Sequence, residues 1–238
     1  MRTLRVAATA AAVSLAPFAL AAQTFTIGTT SVGTNLVGAG RVAGDPTTFQ
    51  TLAQSFVVPT ACPATCYLQS FGFFLGDGFG GASTRLRAYV YHFSPAGFIS
   101  GPALFRSAEL AGSGNFVGLD AYTVGTSNLA LLRSGAYAFV LSVSEPFAAI
   151  PEGRATLASA TLTSEYADGA LWGATNGGDL SALDEPGALR LVVGAPDLSF
   201  RATFTATVIP EPGTVTLVAA GLVGVLGAGW RRRRATTG

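Results

Sequence analysis

Apolar and polar residues alternate strictly in Leu198-Ser199-Phe200-Arg201-Ala202-Thr203-Phe204-Thr205-Ala206-Thr207-Val208. Successive side chains of a β-strand point to opposite faces of a sheet, so this period of two predicts a strand with one buried and one solvated face. Antiparallel sheets commonly pack one face on a core and leave the other in water. The stretch therefore favours an all-β fold built from antiparallel strands.

Similar patterns recur along the body of the chain, and the breaks between them carry Gly, Pro and Asn, which favour turns. Many short strands separated by turns are typical of a sandwich, so we predict one antiparallel, jelly-roll-like β-sandwich domain over residues 23–208. Residues 23–48 form either a first strand pair or a lead-in. The further predicted strands are Leu52–Val58, Tyr67–Leu75, Thr84–Phe93, Phe116–Val124, Ala136–Val143 and Ala188–Val193, with a weaker one at Leu104–Leu110.

The N-terminus has the pattern of a secretory signal peptide over residues 1–22. Arg2 and Arg5 come first, and a mostly Ala, Leu and Val run follows up to Ala22. Ala19 and Ala21 fit the small-residue rule for signal cleavage, which predicts a cut after Ala21 or Ala22. The alternative is a membrane anchor, for which the apolar run is short.

The C-terminal segment, residues 209–238, has three parts in a fixed order. Pro210-Glu211-Pro212 comes first, an uncharged stretch over 213–230 follows, and Arg231, Arg232, Arg233 and Arg234 come after it. As a helix the stretch would be about 27 Å long, near the thickness of a bilayer core. Because clustered arginines resist translocation, we predict a transmembrane helix that leaves the body on the exported side.

This tail resembles the PEP-CTERM sorting signal of Gram-negative bacteria. The resemblance implies recognition by an exosortase, a transpeptidase-like membrane protease that cuts near Pro210-Glu211-Pro212. It also implies a bacterium that makes exopolysaccharide. The precursor would be anchored in the inner membrane, and the processed protein would reach the cell surface or the extracellular matrix.

The body has a second resemblance, to the choice-of-anchor domains, which are β-sandwiches found upstream of several surface-anchoring signals. That family implies an extracellular module and supplies no catalytic residues. The segments that carry the resemblance are Ala53–Val58, Leu68–Phe71, Arg87–Tyr91, Leu132–Leu141 and Ala170–Trp172.

Composition and charge exclude several classes of protein. The chain has 238 residues, of which 49% are hydrophobic and only 11% are charged. Disordered chains are poor in apolar residues and rich in charge, so disorder is excluded. Without the two terminal segments, eight of the 14 basic and twelve of the 13 acidic residues remain, which gives the body a formal charge of −4. The whole chain has a net charge of only +1, which gives no basic surface for sequence-independent binding to nucleic-acid phosphates.

Cys62 and Cys66 are the only cysteines, and export to an oxidising compartment predicts a disulfide between them. A metal site is the alternative, but two cysteines and one distant histidine fall short of four zinc ligands. We expect no cofactor, although aspartates in Gly-rich turns, such as Asp77, Asp168 and Asp179, leave a structural Ca²⁺ site open.

The sequence lacks the patterns of common hydrolases, so we expect a non-enzymatic protein. His92 is the only histidine, and no G-x-S-x-G nucleophile motif accompanies it. The alternation places His92 at a strand end, on the same face as Val90. A glycosidase that uses two carboxylates is a remaining alternative, since its residues need no sequence motif.

One segment suggests a ligand site, for which exopolysaccharide is the expected ligand. Tyr166, Trp172, Asn176 and Asp179 place aromatic rings beside amide and carboxylate groups. An exposed ring can stack on a sugar while neighbouring polar groups bind its hydroxyls. The alternative is that Trp172 fills the core of the sandwich.

Overall fold

A computed structural model describes residues 23–41, 48–77, 84–111, 119–150, 152 and 154–206. The predicted signal peptide and the predicted sorting segment with its transmembrane helix lie outside these residues. Within the described part, no helix is long and apolar enough to cross a membrane. The helices described there are two short 3₁₀ turns, Phe147–Ala149 and Leu180–Asp184.

The described strands, numbered β1 to β14 along the chain, form two seven-stranded sheets. The first sheet contains β1 (Thr24–Gly28), β2 (Asn35–Arg41), β3 (Thr48–Phe49), β5 (Thr65–Asp77), β9 (Asp120–Leu132), β11 (Arg154–Ala160) and β14 (Phe200–Thr205). The second contains β4 (Thr51–Val57), β6 (Arg85–Ser94), β7 (Phe98–Arg106), β8 (Leu110–Ala111), β10 (Ala136–Ser142), β12 (Leu171–Ala174) and β13 (Arg190–Leu191). The prediction of an all-β fold is confirmed.

The long strand β5 organises the first sheet. It pairs with β9 along one edge, and with β14 and then β11 along the other. These pairs are antiparallel, while the short pair β2–β3 is parallel. In the second sheet, β10 lies between β4 and β6, and both pairs are antiparallel.

Aromatic side chains from both sheets fill the main core. Phe139 of β10 is fully buried, and its ring lies 3.9 Å from that of Phe56 and 4.6 Å from that of Phe71. Phe200 and Phe204 of β14 join the same cluster, with exposures of 1% and 0%. They are apolar positions of the alternating stretch and face the core as predicted, whereas Ser199 and Thr205 of the predicted solvated face are also buried, at 0% and 1%.

A second, smaller core covers the outer face of the second sheet. It contains Tyr89, Tyr91 and Phe93 from β6, together with Leu183 of a 3₁₀ turn and Leu189. Successive side chains of β6 therefore point alternately into the main core and into the smaller core, so both faces of the strand are covered. Of the predicted strand at 188–193, the structure has Arg190–Leu191 as a strand.

A carboxylate ties the loop before β12 to the loop after β1. Glu165 accepts hydrogen bonds from the backbone nitrogen (2.8 Å) and hydroxyl (2.8 Å) of Thr30. It also accepts them from the nitrogen (3.1 Å) and hydroxyl (2.6 Å) of Ser31. These bonds, chiefly those from the two hydroxyls, hold the pKa of Glu165 below its usual range because they favour the charged form.

The two ends of the domain lie side by side. Thr24 of β1 pairs with Thr205 of β14, and the backbone nitrogen of Ala206 donates to the carbonyl of Gln23 at 3.1 Å. The chain therefore enters and leaves the sandwich at one end of the first sheet.

Candidate functional site

The four residues predicted to bind a ligand lie in three different surroundings. Tyr166 belongs to the main core, with 8% of its surface exposed and its ring in edge contact with that of Phe200 at 5.2 Å. Its hydroxyl donates to the carbonyl of Val57 at 3.2 Å. Burial raises the pKa of Tyr166 to about 12. Tyr166 is therefore a core residue and does not offer a surface for stacking.

Trp172 lies on the outer face of the second sheet and is half-buried against the smaller core. Its indole nitrogen donates to the hydroxyl of Ser55 at 3.2 Å, and its ring lies 5.2 Å from that of Phe93. The ring is thus held by a hydrogen bond and by packing. Ligand binding by Trp172 stays a prediction.

Asn176 and Asp179 stabilise the turn that follows β12. The amide of Asn176 donates to the hydroxyl of Ser144 at 2.8 Å and to the carbonyl of Asp179 at 2.7 Å. The carboxylate of Asp179 accepts from the hydroxyl and the nitrogen of Ser181, which lowers its pKa and caps the 3₁₀ turn. Both side chains have local structural partners, and their predicted binding role is untested.

Four ionisable side chains form a cluster on the outer face of the second sheet, namely Arg87, Tyr89, Arg106 and Glu145. Glu145 pairs with Arg87 at 3.0 Å and with Arg106, which lowers the pKa of the carboxyl. Burial raises the pKa of Tyr89 beside them. The cluster fastens β6 and β7 to the turn at Glu145. His92 is exposed, unlike the core residue Val90 on the same strand, and its ring lies 5.1 Å from that of Tyr137.

The predicted disulfide is confirmed. Cys62 and Cys66 are bonded, and both are buried at the start of β5. In the described ranges, no group of three or more His, Cys, Asp or Glu side chains could hold a metal ion. The structural Ca²⁺ site stays a prediction.

A shallow groove of about 330 Å³ crosses the outer face of the first sheet. Its floor is Gly72 of β5, which pairs with Thr123 of β9 on one side and with Arg201 of β14 on the other. Ser70 and Thr203 form the next pair along the same strands. The groove therefore combines hydroxyl groups and one cationic group with apolar side chains, among them Phe73 and Phe74.

The residues of this groove are far apart in the sequence, and no motif connects them. Arg201 and Thr203 belong to the polar face of the alternating stretch, and Ser70 and Gly72 to a predicted strand. The alternation shows which side chains share a face of one strand. It does not show that β5 lies between β9 and β14, which is what brings these residues together.

A second opening, of about 450 Å³, lies where edge strands of the two sheets approach each other. It is lined mainly by apolar groups, among them Leu36, Phe49, Leu191 and Val193. Leu191 and Val193 are exposed by 59% and 98%. Arg190 is the charged residue of its lining.

The sorting segment begins just after the sandwich. Ala206 is the last described residue, and Pro210 follows four positions later. A family model for the PEP-CTERM protein-sorting motif matches residues 208–234. The chain carries a PEP-CTERM motif. The motif implies an exported, surface-targeted protein that an exosortase processes.

Two solved structures resemble the sandwich of this PEP-CTERM chain at a distance. One is a variant of the clostridial cysteine protease Cwp84 after propeptide cleavage, with 10% identity and a TM-score of 0.46. The match covers 77% of this chain and 40% of the protease chain. The other contains the cysteine protease and lectin-like domains of Cwp84, a surface layer associated protein of Clostridium difficile, with 10% identity and a TM-score of 0.42. It covers 66% of this chain and 32% of that one, so this chain spans less than half of either protein. No curated protein matches the chain in sequence.

Proposed function

We propose that the protein is a non-enzymatic component of the cell surface or extracellular matrix, delivered there by its two terminal segments. The observation that carries the proposal is the PEP-CTERM motif, which matches residues 208–234 immediately after the sandwich. β14 is hydrogen-bonded to β1 and to β5, so the last strand before the motif lies inside the first sheet. The sandwich would therefore be the exported cargo.

The proposed delivery has three steps, one for each feature of the terminal segments. The signal peptide starts export, the segment at 213–230 holds the precursor in the inner membrane, and an exosortase then cuts near Pro210-Glu211-Pro212. Gly213 lies seven positions after Ala206, and an extended chain of that length reaches at most about 25 Å. The sandwich would thus stay close to the membrane surface until the cut releases it.

The test compares two double substitutions of the same dipeptide. Glu211→Ala/Pro212→Ala alters the sorting motif, and Glu185→Ala/Pro186→Ala alters an exposed turn of the sandwich. We expect the first variant to accumulate as an unprocessed precursor in the membrane fraction and the second to be processed like the wild type. Deleting residues 210–238 should also abolish sorting. Normal processing and surface display of the motif variant would contradict the proposal.

A second candidate function is binding of exopolysaccharide. The groove over Gly72 favours it, because ligand sites combine apolar walls with a few polar groups that orient the ligand. A glycan array probed with the purified exported protein tests this role. Trp172→Ala tests the site predicted from the sequence, and unchanged binding by that variant would exclude Trp172 as a ligand residue.

A further inference from the structure

We infer that the groove over Gly72 binds an acidic saccharide chain, and that Arg201 pairs with the carboxylates of that chain. The inference rests on the saccharide-binding role proposed above, and it assigns a site and a ligand charge to that role. Binding would take place on the outer face of the first sheet, away from the segment around Trp172.

The groove residues point away from the core because each alternates with a buried residue. On β5, Gly72 lies between Phe71 and Phe73, which are 1% and 2% exposed. On β14, Arg201 is exposed and its neighbour Ala202 is fully buried. Thr123 of β9 is also exposed. Three adjacent strands thus present their outward side chains to one ligand path.

Gly72 gives the groove its depth. A Cβ atom built at this position would lie 2.5 Å from the carbonyl oxygen of Tyr122, which is shorter than real contacts allow. The absence of a side chain lets β5 and β9 approach closely and leaves a trough between the neighbouring Thr123 and Arg201. A flat ligand can therefore rest on the backbone of the middle strand.

The charge of the groove selects the ligand. Arg201 makes no ion pair with any residue of the described ranges, and no carboxylate is among the groups that line the groove. The body as a whole carries a formal charge of −4, so Arg201 places a positive charge on a domain of opposite net charge. A guanidinium binds a carboxylate through two parallel hydrogen bonds, which makes an acidic sugar the matching ligand.

The remaining lining groups fit a sugar rather than a simple anion. The hydroxyls of Ser70, Thr123 and Thr203 can each donate and accept hydrogen bonds, as sugar hydroxyls do. Phe74 is half-buried at the end of the groove and offers an apolar ring to the C–H face of a sugar. One cation, several hydroxyls and apolar groups that include the ring of Phe74 together match a carboxylated pyranose chain.

The test measures binding of the purified exported protein to polygalacturonate, an acidic polysaccharide, and to dextran, a neutral one. Arg201→Gln removes the cation of the groove, and Arg133→Gln removes an exposed arginine from a turn elsewhere. We expect Arg201→Gln to weaken polygalacturonate binding by about tenfold, since charge-assisted hydrogen bonds are lost. Arg133→Gln should bind like the wild type, and added NaCl should weaken wild-type binding.

A second substitution tests the path of the chain. Thr123→Val keeps the shape of the side chain and removes its hydroxyl, and it should weaken binding by a few-fold without loss of folding. The inference is overturned if no saccharide binds, if dextran binds as well as polygalacturonate, or if Arg201→Gln and Arg133→Gln bind equally. It is also overturned if Arg201→Gln changes only the oligomeric state, because a second copy would then cover the groove. Saccharide binding that survives Arg201→Gln would refute this site and leave the saccharide-binding role standing, so the two failures are distinct.

Discussion

Asp197 provides the sharpest test of how the loop around Tyr166 is held. The side chain is fully buried, and one of its oxygens accepts from the backbone nitrogens of Glu165 (2.9 Å) and Tyr166 (3.2 Å). The other oxygen accepts from the amide of Gln54 at 3.2 Å. Gln54 is also fully buried, and its own oxygen accepts from the nitrogen of Leu198 at 2.8 Å. Asp197 thus joins β4 to two loops.

Asp197→Ala removes the acceptor of three hydrogen bonds, while the amide of Gln54 keeps a second acceptor in the carbonyl of Ser55 at 3.2 Å. Each lost bond costs about 1 kcal/mol, so the free energy of unfolding should fall by about 3 kcal/mol. For a domain of this size the loss corresponds to a fall in melting temperature of about 6–12 °C. Asp197→Asn keeps one acceptor oxygen for the two backbone donors but places its amide group against that of Gln54. We expect it to lose about 1 to 2 kcal/mol.

Urea unfolding of the exported protein, followed by circular dichroism, measures these losses. Asp184→Ala is the matched control because Asp184 is exposed at the end of a 3₁₀ turn, and it should change stability by less than about 0.5 kcal/mol. If Asp197→Ala unfolds at the same urea concentration as the control, the buried carboxylate does not hold the loop as we describe.

Three further predictions concern the core, the disulfide and the stability of the fold at low pH. Phe139→Ala should lower the free energy of unfolding by about 3 to 5 kcal/mol, measured by the same urea titration. Leu132 is 62% exposed, so Leu132→Ala should change the free energy of unfolding by less than about 0.5 kcal/mol. Cys62→Ala/Cys66→Ala should lower the free energy of unfolding by about 2 kcal/mol, which is the loop-closure contribution of a disulfide that closes so short a loop. A reducing agent should destabilise the wild type but not this variant. The lowered pKa of Glu165 stabilises the fold above the unfolded pKa, about 4.3, and this contribution is lost as the pH falls through the folded pKa. Glu165→Gln should therefore lose less stability than the wild type on acidification below about pH 4, and parallel stability curves would count against the hydrogen bonds to Glu165.

The all-β fold could be predicted because its strands carry a period of two. The prediction was accurate where one face of a strand packs on the core, as at β14, or where the apolar pattern is long, as at β5 and β10. It was incomplete at β11, where Arg154–Ala160 is mostly Ala, Thr and Ser and gives little hydrophobic contrast. Small residues suffice there because the strand lies between β5 and β2.

The surface features could not be predicted from the sequence. The smaller core depends on the covering segment with Leu183 and Leu189, which appears in the sequence as a turn-rich connection. The same packing makes Trp172 half-buried, a state between the two alternatives that its sequence context suggested. The groove needs the order of three strands, and strand order is a property of the long-range fold.

The intact mass of the protein recovered from the cell surface tests the central claim most directly. If an exosortase sorts this chain, the recovered protein begins near Gln23 and ends near Pro210-Glu211-Pro212, without the stretch 213–230 or the four arginines. A surface protein that retains its chain through Gly238 would contradict the claim.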